Sequence, residues 1–589
     1  MANFFKIVFG SCLGVILATL VVFVIGGTLI TSLASKSEEG KKVEANSVLK
    51  INFDGPIPEK SNNVPVDPMA FEIEKTVGLH DMVAAIEHAK TNDKIKGIYL
   101  DLSNAPGGRA TSATLRKALL DFKSEDKFII AYGKSYSQGS YYMASTADEV
   151  LMNPVGEVNF LGFGVQIPFF KDMLDRLGIK MQVFYAGQFK SATEPFRRYE
   201  MSEQNRLQVG EYIEAMYANY LEDLSESRGI PTTQLRELAN TYALRTAEDA
   251  LKYKFVDKLV YYDEVLDNLK ERLGLEEDDK IKMVSLQDYE GGNKSKINFK
   301  VKDKIAVVYA EGSIVDGEGE AGSVGGDKYA SIIRKIRNED KYKAVVLRIN
   351  SGGGSGLASE IMWRELMLCK EEGLPVIATM GDVAASGGYY IACMADTILA
   401  QENTITGSIG VFGMIPSMEK MLDEKVGVTF DSVTTGPFSL GLGITSDIGK
   451  EQGAIIQKGV EDFYQLFLKR VAEGRDMTIG GVHEVAQGRV WTGEKAQALG
   501  LVDVIGDLQD AIDIAASNAG LEEYRIAEFP KAKDPIQMYI EMITGKEDEA
   551  RMMLEKEVGN IFPNYKYLKE IKEMEGVQAR VPFMIDEWK

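Results

Sequence analysis

Apolar positions fall into distinct patterns along this chain. From Ile7 to Ser35 none of 29 consecutive residues is charged, which exceeds the roughly 20 needed to cross a bilayer as a helix. The apolar part of a cleaved leader runs only about 7–15 residues, and Ser32-Leu33-Ala34 is a weak cleavage pattern. The expectation is an uncleaved transmembrane anchor over 7–35 behind a cytoplasmic leader of residues 1–6. Cys12 stands near the start of the apolar run, whereas a lipid-modified cysteine would follow its end.

Beyond the anchor, short β-branched runs alternate with longer stretches of helical period. IAVVYAEG (305–312), AVVLRIN (344–350) and PVIATMG (375–381) read as buried strands. Between them KYASIIRKIRN (328–338) and SGLASEIMWRELMLCKEEG (355–373) repeat apolar residues every three to four positions. Strand–helix–strand alternation implies an α/β fold with parallel strands and helical crossovers. The stretches after Glu200 and Ile448 are mostly helical and read as arms packing on a neighbouring unit.

The pattern occurs twice. Residues 133–148 align without a gap on 381–396 at an offset of 248, with seven of sixteen positions identical, Tyr141/Tyr389 and Tyr142/Tyr390 among them. Upstream, VLKINFDGPI (48–57) resembles IAVVYAEGSI (305–314), and KGIYLDLSNAPGG (96–108) resembles KAVVLRINSGGG (343–354). Downstream, residues 244–259 match 490–505. A tandem duplication follows: an N-terminal repeat over 46–289, a linker over 290–303, a C-terminal repeat over 304–543 and an extension over 544–589.

Composition narrows the chemistry. A net charge of −21 argues against nucleic acid. Three cysteines cannot form a disulfide framework. His80, His88 and His483 are the only histidines, and they form no metal-binding pattern. None stands in a glycine-rich, site-like setting, so a serine nucleophile here needs another base.

Two strand ends carry candidate chemistry. Asn350-Ser351-Gly352-Gly353-Gly354 follows one, and glycines there can turn amides toward a bound oxyanion; a tight strand-to-helix turn explains a glycine run equally well. The second is followed by Ala384-Ala385-Ser386-Gly387-Gly388, which puts Ser386 at a helix start among small neighbours. At the offset of 248 its counterpart is Gln138, which cannot be a nucleophile. Conversely, Lys190 in GQFKSATEPF (187–196) has no equivalent in VTFDSVTTGPFS (428–439). Apolar surroundings lower a lysine pKa, which makes a general base near neutral pH. A lone lysine would read as surface charge; one copy lacking the serine and the other the lysine points to a shared Ser386–Lys190 dyad.

NSGGG, AASGGYY and GQFKSATEPF together resemble the bacterial signal peptide peptidase (SppA) family in its long tandem form, over the chain outside the anchor and the C-terminal extension. The resemblance implies two ClpP/crotonase-like repeats with parallel sheets and helical arms, with Ser386 as nucleophile and Lys190 as general base and proton carrier. It implies an oxyanion hole from the amides of Gly353 and Gly354, with Gly352 standing where the family usually has proline. Gly387 and Ser191 are possible auxiliaries; Ser191 either bonds the amine or is incidental. Further implications are no cofactor or metal, hydrophobic peptide substrates such as remnant signal peptides, and a bowl-like homo-oligomer, a tetramer by family likeness. The protein would sit in the cytoplasmic membrane with its catalytic body on the extracytoplasmic side. The site must lie between two repeats, within one chain or between neighbours. The rival readings are a crotonase-type acyl-CoA enzyme and a non-catalytic, protease-like membrane scaffold.

Overall fold

A computed structural model describes residues 43–53, 55, 57–61, 76–289, 300–320, 322–531 and 577–580. The expected anchor, its leader and most of the linker and C-terminal extension lie outside the described residues. Among the described residues no helix is long and apolar enough to cross a membrane.

The N-terminal part contributes strands β1 (Ser47–Asn52), β2 (Ile95–Asp101), β3 (Phe128–Gly133), β4 (Glu149–Met152), β5 (Lys180–Ala186), β6 (Lys258–Leu259) and β7 (Lys282–Ser285). The C-terminal part begins with β8 (Lys304–Glu311), β9 (Ser313–Val315), β10 (Ser323–Gly325), β11 (Tyr342–Ser351), β12 (Gly353–Ser355) and β13 (Val376–Ala385). It continues with β14 (Thr397–Ala400), β15 (Ile405–Gly407), β16 (Val411–Ser417), β17 (Val490–Thr492), β18 (Val504–Ile505), β19 (Arg525–Phe529) and β20 (Val577–Arg580). The helices include α1 (Arg109–Phe122), α2 (Gln138–Ala144), α3 (Glu203–Arg228), α4 (Gly356–Glu371), α5 (Gly387–Ala392) and α6 (Lys450–Arg475).

The duplication read from the sequence is visible in strand order. One sheet runs β6-β4-β3-β2-β1-β7, and the corresponding C-terminal strands run β18-β14-β13-β11-β8-β19. Every neighbouring pair in both orders is parallel. The expected α/β architecture with parallel sheets is therefore present twice. Such strands are apolar on both faces because helices cover both. Along β8, Ala306, Val308 and Ala310 enter the larger core, while the alternate residues Ile305, Val307 and Tyr309 enter the cluster under Ala511, Ile512 and Ala515.

Four contacts lock the repeats together. Strand β5 leaves its own repeat and pairs antiparallel with β16, from Ala186↔Val411 to Lys180↔Ser417. The arm helix α3 places Val209, Tyr212 and Met216 against Ile405 and Val490, so the expected arm packing occurs between the two repeats of one chain. Asp382 at the end of β13 accepts the amides of Ala110 (2.8 Å) and Thr111 (3.0 Å) at the start of α1. Glu59 and Arg348, each only 3% exposed, form an ion pair with Nε–Oε2 at 2.8 Å.

Candidate active site

Sheet register sets the site. Strands β13 and β15 are parallel, with Ala384 opposite Thr406 and Ala385 opposite Gly407. The next residue of each, Ser386 and Ser408, therefore emerges side by side, and both turn out of the sheet with positive φ, 58° and 50°. A non-glycine residue held in sparsely populated backbone space costs on the order of 1–3 kcal/mol and persists only where its surroundings over-determine it. For Ser386 those surroundings are its own N–H donating to Gly407 O (2.8 Å) and its carbonyl accepting the Tyr390 N–H (2.8 Å). A strained strand-to-helix turn of this kind lifts a hydroxyl clear of the sheet.

Strand β11 brings the glycine run to the same place, because Ser351 pairs with Ala384. Gly353 has φ 97° and the N–H of Gly353 donates to Ser351 Oγ at 3.2 Å. The approach is close enough to require glycine: a methyl group on Gly353 would stand 2.7 Å from the Gly387 nitrogen, and one on Gly388 would stand 2.6 Å from Ser351 O.

Lys190 arrives from the other repeat. The β5–β16 ladder ends at Ala186↔Val411, and the chain then turns through Gly187, with the Phe189 N–H donating to Gln487 O (2.9 Å) and the Lys190 N–H to Gly187 O (3.1 Å). Gly488 gives the turn room, since a methyl group there would be 2.7 Å from Lys190 Cα. The amine ends 2.7 Å from Ser386 Oγ, 3.0 Å from Ser408 O and 3.1 Å from Ser408 Oγ. Lys190 is 1% exposed and Ser386 fully buried. Burial alone drives the Lys190 pKa well below the ordinary lysine value, because a charged amine loses its hydration there.

The other expected residues fall as follows. Gly353, Gly354 and Gly387 lie at the junction of β12 and α5 beside Ser386. The Ser191 hydroxyl accepts from Gln208 Nε2 at 2.9 Å, in a cluster with Asn205, and so holds the loop rather than the amine. His88 and His483 meet the hydroxyls of Tyr289 and Tyr464 rather than Ser386. Among the described residues no group of His, Cys, Asp or Glu is arranged to hold a metal ion.

Comparison with known proteins agrees with this duplication. The pattern of peptidase family S49 matches twice, at 121–276 and 369–522, with starts 248 residues apart. The chain belongs to peptidase family S49. It is 37% identical to "Protease 4" of Salmonella typhi over 82% of this chain and 78% of that protein. It is 34% identical to "Protease 4" of Haemophilus influenzae over 92% of each. Against "Serine protease SPPA, chloroplastic" of Arabidopsis thaliana it is 32% identical over 82% of this chain and 70% of that protein. The protein is thus a tandem-repeat serine peptidase of the SppA type.

Within this S49 chain the two repeats have diverged at the site itself. Gln138 stands where the C-terminal repeat has Ser386, and its side chain donates from Nε2 to Gly162 O (2.9 Å) while its Oε1 accepts the Gly162 N–H (3.0 Å). It closes the space with a staple rather than leaving a hydroxyl. Ser408 was missed by sequence reasoning, although the same offset pairs it with Phe160 and Gly410 with Gly162. A serine replacing a buried phenylalanine between aligned repeats was the available signal.

Proposed function

We propose that this peptidase hydrolyses peptide bonds by a Ser386–Lys190 dyad assembled from its two repeats, acting on hydrophobic peptides such as remnant signal peptides. The observation that carries the reading is a fully desolvated lysine amine 2.7 Å from a serine hydroxyl held in a strained turn. Neutral Lys190 takes the Ser386 proton as Oγ attacks the peptide carbonyl carbon. The resulting ammonium protonates the leaving amine, and an ester to Ser386 remains. Lys190 then takes a proton from water as water attacks the ester, and returns it to Ser386 Oγ as the ester breaks. In this reading the amides of Gly353 and Gly354 receive the developing oxyanion, with Gly387 as an auxiliary.

In this reading residues 46–289 and 304–543 are the two repeats, joined by 290–303, and residues 7–35 anchor them in the cytoplasmic membrane with the body on the extracytoplasmic side. A homo-oligomer, a tetramer by family likeness, completes it. Exposed apolar side chains between Val426 and Ile444, Phe430 and Leu440 among them, support a surface that needs a partner.

The test is to label the protein with a serine-directed fluorophosphonate and map the adduct by mass spectrometry. The adduct is expected on Ser386, with labelling and peptide hydrolysis both lost in Ser386→Ala. An adduct on another serine overturns the assignment.

A further inference from the structure

The residues on either side of Lys190 are held by one side chain of the arm helix α3. The amide nitrogen of Gln208 donates to Ser191 Oγ at 2.9 Å and to the carbonyl oxygen of Phe189 at 3.2 Å. Its amide oxygen accepts the Val490 N–H at 3.3 Å, and Val490 pairs with Gly407 on β15. The neighbour of Val490 adds a further tie, because Arg489 O accepts the Ser408 N–H at 2.7 Å. Gln208 thus bridges the loop of Lys190 in one repeat to the segment that holds Ser408 in the other.

The polarity of this bridge is fixed at both ends. Glu194 Oε2 accepts the Ser202 N–H and Asn205 Nδ2, both at 3.0 Å. An amide that donates there turns its oxygen the other way, and Asn205 Oδ1 accepts from Gln208 Nε2 at 3.2 Å. At the far end a backbone N–H can only donate, so Gln208 must turn its oxygen toward Val490. Glu194, Asn205, Gln208 and Ser191 are each at most 2% exposed, and a buried polar group is costly to leave without its partner. The backbone on both sides of Lys190 is therefore pinned by a side chain whose own hydrogen bonds go to neither the amine nor Ser386.

We propose that Gln208, braced by Asn205 and Glu194 and gripping Ser191 Oγ and Phe189 O, is a positioning residue for the base. It sets the distance from Lys190 Nζ to Ser386 Oγ and keeps water from the amine. The inference rests on the Ser386–Lys190 reading above. Misplacing a reacting group by about 1 Å can lower a rate about a hundredfold. A loop released by Gln208 turns toward solvent, and an amine that regains its hydration regains the ordinary lysine ionisation.

The test compares the full chain in detergent with Gln208→Leu, which keeps the bulk and removes every hydrogen bond, and with Ser191→Ala, which removes one grip. Hydrolysis of a hydrophobic fluorogenic peptide gives kcat and KM across pH, and the rate at which a fluorophosphonate labels Ser386 is followed with and without Lys190→Ala. Gln208→Leu is expected to lower kcat about a hundredfold, leave KM little changed, and move the ionisation in the rate profile to higher pH. Ser191→Ala is expected to lower kcat several-fold with a shift in the same direction, and it carries the test if Gln208→Leu does not fold. Labelling is expected to slow in Gln208→Leu, yet to be no slower in Gln208→Leu with Lys190→Ala than in Lys190→Ala alone, because a residue acting through the amine then has nothing to position. The proposal is overturned if either variant, folded, matches the wild type in rate and profile. It is equally overturned if Gln208→Leu slows labelling by the same factor in both backgrounds, which marks a structural role only. If Lys190→Ala itself hydrolyses and labels as the wild type does, the dyad reading fails and the proposal falls with it.

Discussion

The amine of Lys190 lies 2.7 Å from the hydroxyl of Ser386, although 196 positions separate them and each belongs to a different repeat. Neither repeat holds both groups. Removing the amine alone is expected to leave the fold intact and lower kcat by at least about a thousandfold, the scale on which reacting groups of hydrolases act. Steady-state hydrolysis of a hydrophobic fluorogenic peptide by Lys190→Ala, with circular dichroism as the control on folding, checks this. A loss below tenfold would remove Lys190 from the chemistry.

Burial places the Lys190 ionisation well below the ordinary lysine value, and the neutral amine is the form that accepts a proton. The rate kcat/KM is therefore expected to rise with pH through a single ionisation below the usual lysine range. A profile flat across the neutral region, rising only where free lysine titrates, would show that the amine is not desolvated in the working enzyme.

The same burial has a cost in stability whose sign is fixed. Between the depressed folded pKa and the ordinary value of 10.5, the unfolded chain binds a proton at Lys190 that the folded chain does not. Stability must then rise with pH across that window. Lys190→Met keeps the length of the side chain and removes the penalty. It is expected to unfold at a higher Tm than wild type at neutral pH, with the gap closing as pH approaches 10.5. Scanning calorimetry at several pH values measures this, and a lower Tm for Lys190→Met throughout would mean the lysine is stabilising.

How much of this is legible in the sequence depends on whether the signal is local. The strands of both repeats were readable because parallel strands covered on two faces become continuous apolar runs, as in AVVLRI before Asn350. Ser386 and Lys190 stood out because each is missing from the matching copy. The β5–β16 pairing that unites them was not readable, since no local pattern states which strand of another repeat will be a partner. Ser408 was hidden for a related reason: Gly-Ser-Ile-Gly reads as a turn until the β13–β15 register sets it beside Ser386. The tail strand β20 was equally invisible, because VQAR has no strong strand pattern and acquires one only between β12 and β16.

Ser408 offers its carbonyl at 3.0 Å and its hydroxyl at 3.1 Å to the Lys190 amine. Its contacts are with Lys190, so in the dyad reading it is a positioning residue for the base. A hydrogen bond to a charged group contributes about 1.5–3 kcal/mol, so Ser408→Ala is expected to lower kcat roughly ten- to a hundredfold with KM little changed. Because the hydroxyl supports the ammonium formed during the reaction, the ionisation seen in the pH–rate profile should also move downward. Ser408→Thr, which keeps the hydroxyl, should restore much of the rate. An unmoved profile in Ser408→Ala would reduce Ser408 to packing.

The ion pair between Glu59 and Arg348 fastens the two repeats directly behind the site. Arg348 lies on β11 three residues before Ser351, donates to Met380 O at 2.7 Å, and reaches Glu59 from the other repeat at 2.8 and 3.1 Å. Both side chains are almost wholly buried, so deleting one leaves the other charge without its partner in a site closed to water. Breaking a buried pair in this way costs about 3–5 kcal/mol, whereas replacing both members with apolar residues of similar volume is often neutral or stabilising. Glu59→Ala is accordingly expected to lower the Tm and to reduce activity by loosening β11 against β13. The double change Glu59→Leu with Arg348→Met should recover most of the lost Tm. A single variant as stable as wild type, or a double variant worse than either single one, would show that the pair is not what joins the repeats there.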